Sequence, residues 1–134
     1  SLVKALFESC QYGHGEIVGL LLNFCQKRGI TILESRNESD HTPLMVASQN
    51  KYSDIVDLLL QAGADLHAKK GTLDAAPFWL GVSSGSKSVV QKLYNSCNDL
   101  IFERDQDGRT PLFFSSGSVM RFLVKNGASV HVVD

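Results

Sequence analysis

Charge of one sign, cysteine and long apolar runs are all scarce in this sequence of 134 residues. Lys and Arg number 13 and Asp and Glu number 14, which gives a net charge of −1. Proteins that bind nucleic acid or acidic membranes usually carry a basic excess, so this balance argues against both partners. No apolar run approaches the roughly 18 residues that cross a bilayer, which argues against membrane insertion.

Cysteine occurs only at Cys10, Cys25 and Cys97. An odd, sparse set does not form a disulfide framework. We therefore expect a reducing compartment, the cytoplasm or the nucleus. No C-x-x-C or H-x-x-x-H pair occurs, so neither a metal site nor a cofactor is expected.

Motifs of catalysis are present only in fragments. Gly81-Val82-Ser83-Ser84-Gly85 matches G-x-S-x-G, but a nucleophile elbow requires a strand before the serine and a downstream acid and His, and only His131 follows. Gly13-His14-Gly15 and Gly85-Ser86-Lys87-Ser88 lack the spacing of phosphate loops. We predict that the chain is not an enzyme and has no small-molecule substrate.

An internal repeat is the strongest signal that the sequence contains. Thr42-Pro43-Leu44 recurs as Thr110-Pro111-Leu112, at a separation of 110 − 42 = 68 residues, or two periods of 34. The midpoint, Ala76-Pro77-Phe78, keeps the proline, and Lys4-Ala5-Leu6 is a weaker upstream copy. The predicted repeats are approximately 1–36, 37–70, 71–104 and 105–134.

Each copy has the apolar spacing of two helices. In the second copy, Leu44, Ala47 and Ser48 share one helical face, and Ile55–Leu60 is a broad apolar stripe. Gly63 follows where a left-handed helix cap is required. An apolar pair opens the second helix of every copy: Ile17-Val18, Ile55-Val56, Val89-Val90 and Val119-Met120.

With these motifs the chain resembles the ankyrin-repeat family. Asp40-His41-Thr42-Pro43-Leu44, Ala62-Gly63-Ala64-Asp65 and Asp107–Leu112 carry the resemblance most strongly. It implies an all-α solenoid of helix–turn–helix repeats with projecting hairpin loops. It also implies binding of a partner protein or peptide on the concave groove and loop tips. The alternative is a regulatory repeat domain that masks an enzyme or channel in the same polypeptide.

The resemblance places the partner contacts at the loop tips and at the exposed ends of the first helices. The loop-tip candidates are Ser39, His41, Leu73, Ala75, Asp107 and Arg109, and the helix-end candidates are Gln11, Tyr12, Gln49, Asn50, Ser83 and Ser84. Tyr12, His41 and Arg109 are the expected anchors. Each position could equally be only a solvated loop or helix end.

The position after Thr-Pro-Leu, where the family usually has His, is apolar in every copy. These residues are Phe7, Met45, Trp79 and Phe113. Either they pack between repeats or they form an apolar strip on the concave surface. Trp79 is the candidate contact, because aromatic residues dominate binding hot spots.

Two copies differ in length from the second. The first has extra residues around Gln26–Thr31, and Cys25 and Cys97 stand in the Gly63 column, so we expect irregular helix ends at both cysteines. In the fourth, Thr110 to Gly127 is 17 residues against 21 from Thr42 to Gly63, so four are missing. A tight turn at Gly117-Ser118 is expected, together with the shortening of one or both helices.

Three further expectations concern the ends and one column. Glu8 in an otherwise apolar column suits a solvent-facing outer repeat, whereas the chain is expected to continue past Asp134 as part of a larger protein. His67 and His131 occupy a column that a hydroxylase modifies in some family members. The resemblance therefore implies that His67 and His131 are candidates for hydroxylation. The alternative is that each is a hairpin-base residue that bonds to the next loop.

Overall fold

The computed structural model describes residues 1–72 and 75–128, and within these ranges it is all-helical with no strand. Its α-helices are α1 (Leu2–Tyr12), α2 (Gly15–Lys27), α3 (Pro43–Gln49), α4 (Ser53–Gln61), α5 (Pro77–Ser84), α6 (Lys87–Ser96) and α7 (Gly117–Lys125). Two short 3-10 helices lie at Asn98–Phe102 and Pro111–Phe114.

The helices form two layers. In the inner layer α1, α3, α5 and the 3-10 helix Pro111–Phe114 pack side by side, and in the outer layer α2, α4, α6 and α7 do the same. Each inner helix also contacts the outer helix that follows it in sequence. A linear stack of helix pairs is a solenoid, so the predicted all-α ankyrin-type architecture is confirmed.

The second repeat shows why these residues form a helix pair. The Thr42 hydroxyl accepts from the backbone N–H of Met45, and Pro43 occupies the first turn of α3, where no N–H is needed. Gly63 follows α4 at φ +100, and Ala64 N–H donates to Leu59 C=O at 3.0 Å. The predicted left-handed glycine cap is confirmed.

The first repeat is longer because its outer helix has an additional turn. α2 has 13 residues and α4 has 9, so the difference is four residues, close to one helical turn. Cys25 stays inside α2 and is buried, and Gly29 at φ +67 ends the helix instead. The predicted irregular end at Cys25 is therefore wrong, because the extra residues extend the helix rather than the loop.

The other irregular end is confirmed. Cys97 is extended (φ −154, ψ 102), and α6 passes directly into the 3-10 helix Asn98–Phe102. Since a non-glycine residue resists the left-handed conformation, the helix ends by tightening instead of by a glycine cap.

The fourth repeat has one shortened helix, as predicted, and the shortened helix is the inner one. Only the four-residue 3-10 helix Pro111–Phe114 remains of it. The connection is not the predicted tight turn at Gly117-Ser118, however. Ser115 and Ser116 are extended, and α7 begins at Gly117 with φ +55. The missing residues thus removed the end of the first helix and left the second helix whole.

Candidate partner-binding surface

The loop tip of the second repeat is held by one side chain. Asn37 Oδ1 accepts from the backbone N–H groups of Ser39 at 2.9 Å and His41 at 3.0 Å. The Asn37 N–H donates to His41 C=O at 3.0 Å, which closes the loop. Asp40 takes the left-handed conformation (φ +63) at the tip. Ser39 is exposed and His41 half-buried, so both predicted loop-tip positions lie at a fixed surface.

The fourth repeat repeats this geometry with an aspartate. Asp105 Oδ1 accepts from the N–H groups of Asp107 and Arg109, both at 2.9 Å, and the Asp105 N–H donates to Arg109 C=O at 2.8 Å. Gly108 (φ +76) stands where Asp40 stands in the second loop. The same hydrogen-bond pattern in two repeats indicates that these loops are structured before any partner binds.

The third loop cannot be built in this way, because Gly71 occupies the Asn37 and Asp105 column and has no side-chain acceptor. Thr72 N–H donates to Lys70 C=O at 2.8 Å instead, and Ala75 N–H donates to Thr72 C=O at 3.2 Å. Ala75 is half-buried, and the predicted contact Leu73 lies outside the described residues.

Arg109 is the most constrained of the predicted anchors. Its Nε donates to Asp105 Oδ2 and its Nη2 to Asp107 Oδ2, both at 2.9 Å. Its Cζ lies 5.3 Å from the Phe113 ring centroid and 5.1 Å from that of Phe114, within the range of cation–π attraction. We call these five residues the Arg109 patch.

The Asp105 carboxylate is the electrostatic centre of the Arg109 patch. Burial raises its pKa, but the backbone N–H groups of Arg109 and Asp107 and the Arg109 guanidinium oppose this, and the net effect lowers the pKa. Asp105 is therefore ionised throughout the neutral range, and its ion pair with Arg109 persists there.

His41, in contrast to the ionised Asp105, is held in its neutral form by its surroundings. Burial lowers its pKa, and the nearby charge of Lys70 lowers it further. The Asp40 carboxylate acts in the opposite direction, and Arg36 adds a smaller lowering. His41 is therefore neutral at pH 7, and it offers a partner a hydrogen bond and no charge.

The structure places Trp79 in the core and removes it from the predicted contacts. The Trp79 side chain is only 1% exposed, packs 5.8 Å from the Phe114 ring, and donates a long hydrogen bond of 3.4 Å from Nε1 to Glu103 Oε1. Met45 in the same column is also buried. The packing alternative applies to both residues, because each is buried within the stack.

Phe113 is the surface residue that the predicted set omits. It belongs to the same column as Trp79, yet it is 52% exposed, with its ring 5.1 Å from that of Phe114. The sequence feature that could have indicated an exposed Phe113 is the four-residue deletion in the fourth repeat, because a shortened helix cannot bury this side chain as a full helix does. Phe113 thus adds an exposed aromatic ring beside Arg109.

Two of the helix-end candidates use their side chains in hydrogen bonds to their own helices. Asn50 Nδ2 donates to Val46 C=O at 2.8 Å, and Ser84 Oγ to Gly81 C=O at 2.9 Å, so both side chains bond to their own helices. The exposed candidates at the ends of inner helices are Gln11, Tyr12, Gln49, Asn50 and Ser83. Tyr12 is the large one among them and is 63% exposed.

The remaining motifs lie in structural surroundings. Ser83 lies inside α5 with helix before it, so the surroundings of a nucleophile elbow are missing at this serine. His67 Nδ1 lies 3.8 Å from Glu103 Oε2 of the next repeat, whereas His131 lies outside the described residues. Over residues 1–72 and 75–128, no cluster of three metal-ligating side chains occurs. None of the described helices is both long and apolar enough to span a membrane.

Comparison with known proteins gives two matches to family models. Residues 3–70 match a model described as ankyrin repeats (3 copies), and residues 107–134 match one described as ankyrin repeat. Residues 71–106, which contain the irregular third repeat, lie between these matches.

Similar curated proteins are alpha-latrotoxins from species of Latrodectus. Alpha-latrotoxin-Lh1a from Latrodectus hasselti is 33% identical over 93 residues, which cover 65% of this chain and 7% of the toxin. Alpha-latrotoxin-Lt1a from Latrodectus tredecimguttatus is 33% identical over 85 residues, covering 63% of this chain and 6% of the toxin. Alpha-latrotoxin-Lg1a from Latrodectus geometricus is 27% identical over 112 residues, covering 84% and 8%. The chain thus spans less than a tenth of the length of these relatives.

Proposed function

Since the chain belongs to the ankyrin-repeat family, we propose that it is a non-catalytic module that binds a partner protein or peptide through its loop tips and inner helices. Ankyrin repeats generally mediate protein–protein interaction. The four repeats proposed for this module are residues 1–36, 37–70, 71–104 and 105–134. The proposed contacts are the exposed helix-end residues and the loop tips of the second and fourth repeats.

The observation that carries this proposal is the Arg109 patch. It combines an exposed aromatic ring, Phe113, with a guanidinium that Asp105 and Asp107 already hold in place. Arginine and aromatic residues are enriched among the few side chains that dominate binding energy. A partner that contacts Phe113 meets groups that are already ordered, so little conformational entropy is lost on binding.

The choice of residue matters for the test. Arg109 is unsuitable, because its side chain also holds the loop together, and a loss of binding could not be separated from a loss of structure. Phe113 is suitable because half of its side chain is exposed. Phe102 provides a matched control: it is also a phenylalanine, is 55% exposed, lies in the 3-10 helix after α6, and is not one of the residues of the Arg109 patch.

We expect Phe113→Ala to weaken capture of the specific partner at least about tenfold, the effect of a typical hot-spot residue. The measurement is quantitative mass spectrometry of proteins captured by the wild-type chain and by each variant from the same extract. Phe102→Ala should capture the same proteins as the wild-type chain. Both variants should keep the wild-type melting temperature within about 3 °C. Equal losses in both variants, or capture unchanged by Phe113→Ala, would contradict the proposal.

A regulatory role in a larger enzyme or channel is the second candidate function. The observation that favours it is length, since the chain spans only 6 to 8% of its toxin relatives. A masking domain predicts that the larger protein gains activity when these repeats are deleted, whereas a binding module predicts unchanged activity and a lost partner.

The proposed compartment is reducing, cytoplasmic or nuclear. Cys10, Cys25 and Cys97 are all free thiols, and Cys10 and Cys25 are buried. Burial also raises the pKa of Cys10 to about 12, so this thiol is not a reactive group. The names of the relatives describe toxins, which favours secretion as the alternative, and cell fractionation with an antibody distinguishes the two.

A further inference from the structure

The first repeat presents an exposed apolar side of α2, and the other repeats bury the residue that corresponds to its first position, Ile17. Ile17, Leu20 and Phe24 follow one another along α2 at intervals of three and four residues, so they share one side of the helix. All are exposed, and Leu20 is 70% exposed. We call these three residues the N-terminal face.

The Ile17 column shows what normally covers this position. Ile55, Val89 and Val119 open α4, α6 and α7 in the same way, and each is 0% exposed, whereas Ile17 is 45% exposed. Those three repeats each have another repeat before them in the stack, and the first repeat of the described structure does not.

The Leu20 column shows the direction of contact. Lys92 in this column forms an ion pair with Asp57 of the preceding repeat at 3.8 Å. Phe122, in the same column one repeat later, packs edge-on against Tyr94 of the preceding repeat at 5.5 Å. Since side chains in this column reach backwards along the stack, Leu20 points to the place that a preceding helix pair would occupy.

We infer that the N-terminal face is a stacking surface for a further ankyrin-type helix pair of the same, longer polypeptide. The face continues the interfaces that join the described repeats, and leucine in place of Lys92 requires an apolar neighbour in place of Asp57. A solvent-facing end repeat would instead need polar residues along this side of α2. The polar Glu8 on α1 therefore does not mark the end of the stack.

The test supplies the missing neighbour from the chain itself. A copy of residues 37–70, the regular second repeat, is joined ahead of Ser1 by a short Gly-Ser linker, and this copy carries Asp57→Leu so that an apolar side chain faces Leu20. We expect the melting temperature of the fusion to exceed that of the original chain by about 5 °C or more, because the added interface buries the N-terminal face.

A substitution cycle distinguishes stacking from a general effect of the added segment. Leu20→Ala should lower the melting temperature of the original chain by less than about 1 °C, since Leu20 is exposed there, but that of the fusion by about 3 °C or more. Phe102→Ala, far from the new interface, should have the same small effect in both. Equal effects of Leu20→Ala in both proteins, or no stabilisation on fusion, would overturn the inference.

Sedimentation of the original chain tests whether a second copy of the chain, and not a preceding repeat, covers the N-terminal face. A monomer at all concentrations supports stacking of a preceding repeat. A concentration-dependent oligomer that Leu20→Ala dissociates would overturn the inference by assigning the face to self-association. Partner capture by the Arg109 patch is measured separately with Phe113→Ala, so failure of one proposal leaves the other standing.

Discussion

Three buried serine hydroxyl groups show how much a single atom matters in this stack. Ser9 Oγ donates to Ala5 C=O at 2.8 Å and Ser115 Oγ to Leu112 C=O at 2.7 Å. Ser48 Oγ is fully buried at the end of α3 and has no hydrogen-bond partner in the part of the chain that the structure describes. A buried polar group without a partner costs free energy because it has lost its hydrogen bonds to water.

We predict that Ser48→Ala raises the free energy of unfolding by about 1 kcal/mol, through removal of the unpaired hydroxyl and better helix propensity. Urea denaturation followed by circular dichroism measures the change. Ser9→Ala is the control, and it should leave stability equal or lower because it removes a hydrogen bond that is formed. Destabilisation by Ser48→Ala would mean that the hydroxyl has a partner in solution.

The residue scale is also where sequence reasoning is weakest. The column after Thr-Pro-Leu identifies Trp79 and Phe113 as equivalent, yet one is buried and the other exposed. The two side chains differ in exposure because the inner helix around Phe113 is shortened. This effect depends on the packing of the whole repeat, so it cannot be read from one aligned position. The double ion pair of Arg109 follows from loop geometry that the Asp105 side chain creates, and it was not predicted.

The turn between the two helices of a repeat has a left-handed residue in each of the first three repeats: Gly13 (φ +80), Lys51 (φ +68) and Gly85 (φ +78). Lys51 shows that a side chain can be accommodated in this turn. Gly13 has an additional constraint, because a Cβ there would lie 2.7 Å from Tyr52 Cε1 of the next repeat. Glycine is therefore needed at Gly13 for close approach as well as for conformation.

We predict that Gly13→Ala destabilises the chain by about 3 kcal/mol and Gly29→Ala by only about 1 kcal/mol. Gly29 has a similar positive φ, +67, but a Cβ there meets nothing within 4 Å. Comparing the two by urea denaturation isolates the contact with Tyr52 from the backbone strain. Equal destabilisation would show that the Tyr52 ring moves aside freely.

Sequence predicted the elements well where periodicity and capping residues agree. The helix pair of the second repeat, the Gly63 cap, the irregular end at Cys97 and the shortened fourth repeat are all present. The extra residues were expected after the second helix, around Gln26–Thr31. The structure instead lengthens α2 by one turn that ends at Lys27, and residues 28–31 follow as turn and loop.

At the scale of the whole molecule, stability is a sum over repeats and the interfaces between them. The second and third repeats have a complete helix pair and a neighbour on each side. The fourth has only a 3-10 helix of four residues in its inner layer, and such helices have poorer hydrogen-bond geometry. The stack should therefore open from this end.

We predict that hydrogen exchange is slowest for the backbone amides of α3 and α4 and clearly faster for those of α7 and of Pro111–Phe114. Exchange measured by NMR or mass spectrometry at neutral pH gives the order directly. Exchange in α7 as slow as in α4 would show that the stack opens only as one cooperative unit, and would contradict a weak fourth repeat.

The additional turn of α2 has a consequence for how such a chain can change in evolution. Four residues advance a helix by about 400°, so the residues that follow are rotated by only about 40° from their former direction. The four residues lost from the fourth repeat act differently, because the inner helix there is reduced to a 3-10 helix and its Phe113 is exposed. An added turn at the end of an outer helix keeps the contacting sides of neighbouring repeats nearly in phase, so a gene encoding this stack can gain such a turn without new mutations in the core.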